Sequence, residues 1–416
     1  MTRRVQLRRL ARIVNGGTPA ANPQFWGGDV QWATPVDLGI ANGGAIAKTL
    51  RSITAHGLRS GSAEVPPGSL IISTRAPVGY VVETKVAIAF NQGCKGLVPS
   101  DAAHAGYLKY ALQYSVLQMQ AIATGSTFQE LSSTALASVT LPYCPPSQQK
   151  VIADFLDRET AQIDAMIEAQ GGLVDRLEER RCALTTEIVD SAAPDTRLGR
   201  LLKHHIRGVR QGWSPQCHPY PRSEDTEWAV LRTGCVNGGR FNPEDNKVLP
   251  EDLTPRQAAV VRRGEIVMSR ANTRELLGSA AVVPEERPRL MLSDKLYALD
   301  TLPHANPWFI TGVLGTRRLR DLIEIAATGA SQSMQNISQF DIVNLPMELP
   351  ARDIQDEAVT RLAVARHQID GLASAAVDAI TLMQERRSAL ISAAVTGRID
   401  PRTGKETTPE KVLELE

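Results

Sequence analysis

Residues 162–189 read QIDAMIEAQGGLVDRLEERRCALTTEIV, and residues 368–395 read QIDGLASAAVDAITLMQERRSALISAAV. The second string is a version of the first displaced by 206 positions. Gln162-Ile163-Asp164 returns as Gln368-Ile369-Asp370, Glu179-Arg180-Arg181 as Glu385-Arg386-Arg387, and Ala183-Leu184 as Ala389-Leu390. In both strings the seam positions alternate spacings of four and three. Ile163, Ile167, Val174, Leu177, Leu184 and Ile188 mark the first seam, with Gln170 and Arg181 in register. Ile369, Ile380, Met383 and Leu390 mark the second, with Arg387 in register. A 3.5-residue period held this long predicts two helices packed along a seam, because a merely amphipathic helix need not keep that period. The constant offset says that length is constrained, as it is in a packed rod. Gly171-Gly172 interrupts the first seam at ~1 kcal/mol each against alanine; close approach of two backbones would account for the pair.

The repeat extends outward from these rods. Leu7, Arg9 and Leu10 recur as Leu198, Arg200 and Leu201, Gly16 and Pro19 as Gly212 and Pro215, and Trp32 as Trp228. Gly68 to Ser73 matches Gly264 to Ser269, and Arg75-Ala76 matches Arg270-Ala271. Thr124-Gly125 matches Thr328-Gly329, and Leu141-Pro142 matches Leu345-Pro346. The offset rises from 191 to 206 along the chain, as insertions in surface loops would make it do. Each half therefore has a globular part, residues 1–144 and 196–346, in which short apolar runs such as Leu70-Ile71-Ile72 are bounded by turn residues. A helical part follows a proline-marked boundary, residues 145–195 and 347–400, and residues 401–416 form a polar tail.

The length of 416 residues calls for two or three domains, and the 43% apolar content is enough for real cores. No uncharged apolar run reaches the ~18 residues of a membrane span. The arginine-rich start has no apolar stretch behind it and does not resemble a secretory signal. The five cysteines, Cys94, Cys144, Cys182, Cys217 and Cys235, are scattered and never spaced as CxxC, which predicts a reducing cytoplasm without a disulfide framework or zinc.

A net charge of +1 hides a segregation. Residues 1–144 hold 12 basic and 6 acidic side chains, and residues 196–346 hold 20 and 16. The helical parts reverse the sign, with 5 and 11 in residues 145–195 and 9 and 12 in residues 347–416. Basic globular parts suit a phosphate backbone, since neutralising phosphates releases counterions. Acidic rods suit protein contacts.

Catalytic motifs are absent: there is no GxxxxGK[ST], no GxGxxG after a strand, and no Asn-Pro-Pro-aromatic. Asp37 with Glu83-Thr84-Lys85 has the residue types of a metal-dependent nuclease, without a counterpart in the second half. His204-His205 with Cys217-His218 is too loosely spaced for a metal site. The globular parts offer donor-rich loops instead. Thr18 lies in Asn15-Gly16-Gly17-Thr18-Pro19, a turn suited to a phosphate. Thr74 and Arg75 follow one apolar strand, and Arg270, Asn272 and Thr273 follow its counterpart; Arg and Asn read guanine and adenine bidentately. Asn91-Gln92-Gly93-Cys94-Lys95 and Ser293-Asp294-Lys295 occupy corresponding places, as do the stretch with Thr127 and Gln129 (residues 124–129) and the stretch with Ser331 and Gln332 (residues 328–333). Arg210 completes the candidate DNA-contacting set.

In these features the chain resembles the DNA-specificity subunit of type I restriction-modification systems. The marks are Gly16-Gly17-Thr18-Pro19, the stretches Gly68 to Arg75 and Gly264 to Asn272, Gln148-Gln149-Lys150-Val151-Ile152-Ala153 after the leucine-proline boundary, and the ending Thr396-Gly397-Arg398-Ile399-Asp400. The resemblance implies an α+β fold with an internal pseudo-twofold repeat, in which two target-recognition domains are held apart by two long antiparallel helices in a coiled coil. It implies a subunit without catalysis or cofactor of its own. Two modification subunits carrying S-adenosylmethionine would methylate adenine in double-stranded DNA, and restriction subunits using ATP and Mg²⁺ would cleave it. Two readers with different loops would read an asymmetric target in two parts. A stand-alone nuclease built on Asp37, Glu83 and Lys85, or a self-sufficient repressor or architectural protein, are the alternatives.

Overall fold

The computed structural model describes residues 3–75, 77–124, 130–189, 194–331 and 334–407, apart from the side chains of residues 206, 207, 330 and 331. The fold mixes helix and sheet and divides into two compact units, Met1–Gln170 with Asp378–Glu416, and Gly171–Val377. Both 44-residue helices, Pro146–Val189 and Arg352–Val395, are shared: each gives its first part to one unit and its last part to the other.

In the first unit a five-stranded sheet runs in the order Ala11–Asn15, Cys94–Pro99, Leu70–Ser73, Val81–Thr84, Ala45–Ile46. A four-stranded sheet, Arg51–Ile53, Trp26–Ala33, Ile88–Phe90, Ala63–Val65, lies beside it. The strand Leu70–Ser73 is buried at every residue because both of its faces meet apolar cores. Ile71 packs with Val65, Val82 and Phe90 on one face. Leu70 and Ile72 pack on the other, in a core that also takes the helix Ala105–Tyr114, the start of the first long helix (Ile152, Leu156) and the end of the second (Ile391, Ala394, Val395). Each such aliphatic side chain contributes ~1.5–3 kcal/mol by leaving water.

The second unit has a four-stranded sheet in the order Val209–Gln211, Leu296–Leu299, Ile266–Ser269, Ala280–Val282. Its core likewise collects the end of one long helix (Val189) and the beginning of the other (Ala358, Leu362). Here the main chain corrects the alignment of the two halves by one residue. Thr74 N donates to Gly93 O at 2.8 Å and Leu131 N to Thr74 O at 3.0 Å. The bonds at the corresponding place are Arg270 N to Lys295 O at 2.8 Å and Ile337 N to Arg270 O at 3.0 Å. Arg270 therefore stands where Thr74 stands, and Arg75 where Ala271 stands. The expected match of Arg75 with Arg270 followed from shared side-chain type, which does not report main-chain register.

Every seam position of the long helices is buried or half-buried, among them Ile163 and Leu177 in the first and Ile369 in the second. The first helix continues through Gly171-Gly172. The expected close backbone approach is not what places these glycines: a Cβ on Gly171 would meet nothing within 4 Å, and one on Gly172 only the guanidinium of Arg176. Arg387, in register with the seam, puts its guanidinium on Asp164 of the first helix at 2.8 and 3.3 Å. Part of the polar tail is folded: Ile399 bridges Glu406, around a turn closed by Gly404 N on Asp400 O at 2.8 Å.

Candidate nucleic-acid interface

The loop Asn15–Pro19 follows the first strand of the five-stranded sheet. Only glycine fits at position 16, where a Cβ would lie 2.0 Å from Asn91 O. Gly17 N donates to Phe90 O at 2.9 Å. Two indoles hold the loop by their N–H groups: Trp32 Nε1 donates to Gly17 O at 3.1 Å, and Trp26 Nε1 to Ala20 O at 3.0 Å. Their rings meet edge to face at 5.0 Å, and the Arg51 guanidinium lies 3.9 Å from the Trp26 centroid, in cation–π range. So fixed, the loop places Thr18 with its hydroxyl donating to Gln92 Oε1, and both side chains are exposed. Ser133 Oγ donates to Asn15 Oδ1 at 2.6 Å beside them. Lys95 is 9% exposed and forms no ion pair with a described residue. A lysine packs its stem while its ammonium stays at the surface, where the charge is available to a negatively charged ligand.

Two expected contacts are spent elsewhere. Thr74 is wholly buried, and its hydroxyl donates to Gly93 O at 3.2 Å, so it serves the sheet edge. Arg210 donates to both carboxylate oxygens of Glu265, at 2.7 and 2.6 Å, and to Val260 O and Ala258 O, which uses its fork inside the second unit. Arg75 is half-exposed but ion-paired with Glu130 at 2.7 Å. Thr127, Gln129 and Gln332, and the side chain of Ser331, lie outside the described residues.

The second unit repeats the loop with other residues. A Cβ on Gly212 would lie 1.9 Å from Leu292 O, and Trp213 N donates to Leu292 O at 3.0 Å. Ser214 Oγ donates to Asp294 Oδ1, and Asp294 N returns a bond to Ser214 Oγ at 3.2 Å. Gln211 Nε2 and the Arg270 guanidinium both donate to Asp294 O, at 2.9 and 3.2 Å. Thr273 and Lys295 are exposed. Asn272 Nδ2 and Ser293 Oγ are buried without a hydrogen-bond partner. Arg270, Lys295 and the Ser214–Asp294 pair thus lie at neighbouring strand ends of the four-stranded sheet, while Asn272 pairs with Gln335 in a separate three-stranded sheet.

Among the described residues the thiols of the first unit's globular part are not activated. Burial pushes the Cys94 thiol up to about 12 and Cys144 up to about 11, so both stay protonated at neutral pH. Asp37 is a helix cap: its carboxylate accepts from Thr34 N, Thr34 Oγ1 and Leu50 N at 2.9, 2.6 and 2.7 Å. Glu83 and Lys85 pair with each other at 2.9 Å. Among the described residues no three His, Cys, Asp or Glu side chains come together to hold a metal ion, so nothing here supports the nuclease reading.

Sequence reading quotes Asp294, Trp32, Gln149 and Gln355 as marks of the repeat without giving them a role, and it passes over Trp26. Gln149 Oε1 accepts from His104 N at 2.7 Å, while its Nε2 donates to Ala102 O and Cys144 O at 3.0 and 2.8 Å. Gln355 accepts from Asn306 N at 2.8 Å and donates to His304 O and Pro350 O at 3.0 and 2.8 Å. Each glutamine fastens a long helix to the globular part that precedes it. Their offset of 206 was the available signal.

Among the described residues, the loops of both units offer exposed amide, hydroxyl and cationic groups at neighbouring strand ends. Residues 3–170 match the family model described as the type I restriction modification DNA specificity domain. The chain is 32% identical over 155 residues to the specificity subunit of the type I restriction enzyme MjaIX from Methanocaldococcus jannaschii, a match covering 36% of each protein. It is 30% identical over 158 residues to the EcoEI specificity subunit from Escherichia coli, covering 38% of this chain and 27% of that one. These matches span about a third of the curated relatives. The fold extends the likeness: a chain solved in work on the "structural basis underlying complex assembly and conformational transition of the type I R-M system" superposes with a TM-score of 0.67 at 15% identity, covering 95% of this chain and 97% of that one.

Proposed function

We propose that this chain is the DNA sequence-recognition subunit of a type I restriction-modification complex, without catalysis of its own. The observation that carries the proposal is the recurrence, in both units, of one hydrogen-bonded loop plan built from different side chains. Two readers of one plan and different chemistry suit an asymmetric target in two parts. On this reading residues 1–144 and 196–346 are target-recognition domains related by a pseudo-twofold axis. Residues 145–195 and 347–400 are antiparallel coiled-coil spacers. The partners are double-stranded DNA, two modification subunits carrying S-adenosylmethionine, and restriction subunits using ATP and Mg²⁺. The DNA-contacting set is Thr18, Gln92, Lys95, Arg270, Asn272, Thr273 and Lys295, with Arg75 secondary because Glu130 already holds its charge. No described helix is long and apolar enough to cross a membrane, which agrees with a place in the cytoplasm.

The test is sequencing of methylated adenines in cells that carry this chain with its modification subunit. The expected result is two short, different specified sequences separated by unspecified base pairs. A palindromic or continuous motif would overturn the proposal, as would Mg²⁺-dependent cutting of DNA by the purified chain alone.

A further inference from the structure

The main chain brings one pair of residues to the same place in both loops. Gly17 N donates to Phe90 O, and Trp213 N to Leu292 O, at 2.9 and 3.0 Å. Three residues further along, Gly93 O and Lys295 O accept from Thr74 N and Arg270 N, both at 2.8 Å. These bonds bracket residues 91–92 in one unit and 293–294 in the other, so Gln92 and Asp294 are equivalent by register although their side chains differ. The residue after Gly17 is Thr18 and the residue after Trp213 is Ser214. Each hydroxyl donates to the facing side chain, on Gln92 Oε1 and Asp294 Oδ1.

The two clasps leave different chemistry open. Gln92 keeps both N–H donors of Nε2 and a second lone pair on Oε1. Asp294 keeps Oδ2, which only accepts. In the major groove an amide matches the N7 acceptor and N6 donor of adenine, while a carboxylate matches the N4 donor of cytosine. Beside Asp294 stand the Arg270 guanidinium, which donates to its main-chain oxygen and adds positive charge toward a phosphate, the exposed Lys295 next in the chain, and the 6%-exposed Ser293, whose hydroxyl has no partner. We infer that residues 92 and 294 are the equivalent base-reading positions of the two units, Gln92 selecting adenine in one half-site and Asp294 cytosine in the other. The inference rests on the proposed function and adds the base chemistry to it.

The experiment uses the full chain assembled with its modification subunits, selecting duplexes from a random-sequence pool. Asp294→Asn keeps the shape and exchanges an acceptor oxygen for a donor amino group, and Gln92→Glu keeps the shape and makes the reverse exchange. Asp294→Asn should lower the preference for cytosine at a single base pair by roughly 5- to 100-fold and leave the other half-site untouched. Gln92→Glu should do the same to an adenine of the other half-site. Ser214→Ala, which frees the carboxylate without changing it, should broaden selection at the base pair that Asp294→Asn alters. A motif unchanged in both isosteric variants, or affinity lost evenly over all sequences, would make the clasps structural and overturn the inference alone. If Ser214→Ala broadened a different base pair, the assignment would fail. If the unaltered complex selected no bipartite sequence, the function itself would fall, and the inference with it.

Discussion

Gln149 and Gln355 are 1% and 0% exposed, and each satisfies one backbone amide and two carbonyls. Removing a buried partner costs more than a hydrogen bond is worth, because the groups left behind stay out of water. Gln149→Leu should therefore lose ~2–5 kcal/mol of stability in denaturant unfolding; a loss below 1 kcal/mol would mean that water replaces the amide. The same scale separates the arginines. Arg270→Glu should weaken DNA binding by the assembled complex and reduce the salt slope by about 0.9 for a lost phosphate contact. Arg75→Ala should do less, since a half-exposed pair with Glu130 leaves little charge to lose. Equal effects of the two would return Arg75 to the primary set. Residue type drew attention to these side chains, but neither the burial of Thr74 nor the engagement of Arg210 is written in residue type. Gln149 was quoted only as a landmark, because the groups that it binds on the globular part lie 45 and 47 residues away.

The long helices were the most legible elements, since a seam is a pattern within one contiguous stretch. Burial follows it: Ile163 and Ile369 are buried, whereas Met166, off the seam, is 54% exposed. Ile163→Ala and Ile369→Ala should each cost ~2–4 kcal/mol, and Met166→Ala almost nothing, in thermal unfolding of the full chain. If Met166→Ala were the costly change, the seam would lie on another face. The glycines test helix propensity alone. With no neighbour within 4 Å of its missing Cβ, Gly171→Ala should stabilise the helix by up to ~1 kcal/mol. Destabilisation there would show that the site needs the freedom of glycine. The short strands were less legible, because their pairing is set by main-chain register across loops of unequal length, and that is where the one-residue misalignment arose.

At the scale of the whole molecule, the order of globular part, helix, globular part, helix was readable from the drifting and then constant offset. Which side chains meet bases was not, because each loop owes its aim to bonds from distant segments, such as those of Trp26 and Trp32. The glutamine joints carry a consequence for the history of such a chain. What Gln149 grips is the main chain of Ala102, His104 and Cys144, and what Gln355 grips is the main chain of His304, Asn306 and Pro350. The two glutamines themselves hydrogen-bond to no side chain of the segments they hold; the sequence-dependent polar contacts beside them are few, such as Asn306 on Asp356 and Lys109 and Tyr110 on Asp157. On the proposed function, globular parts that keep these few contacts would exchange between chains as cassettes, altering the text that is read without redesigning the frame. A chain carrying residues 196–346 in both places should fold, and its complex should select a palindrome.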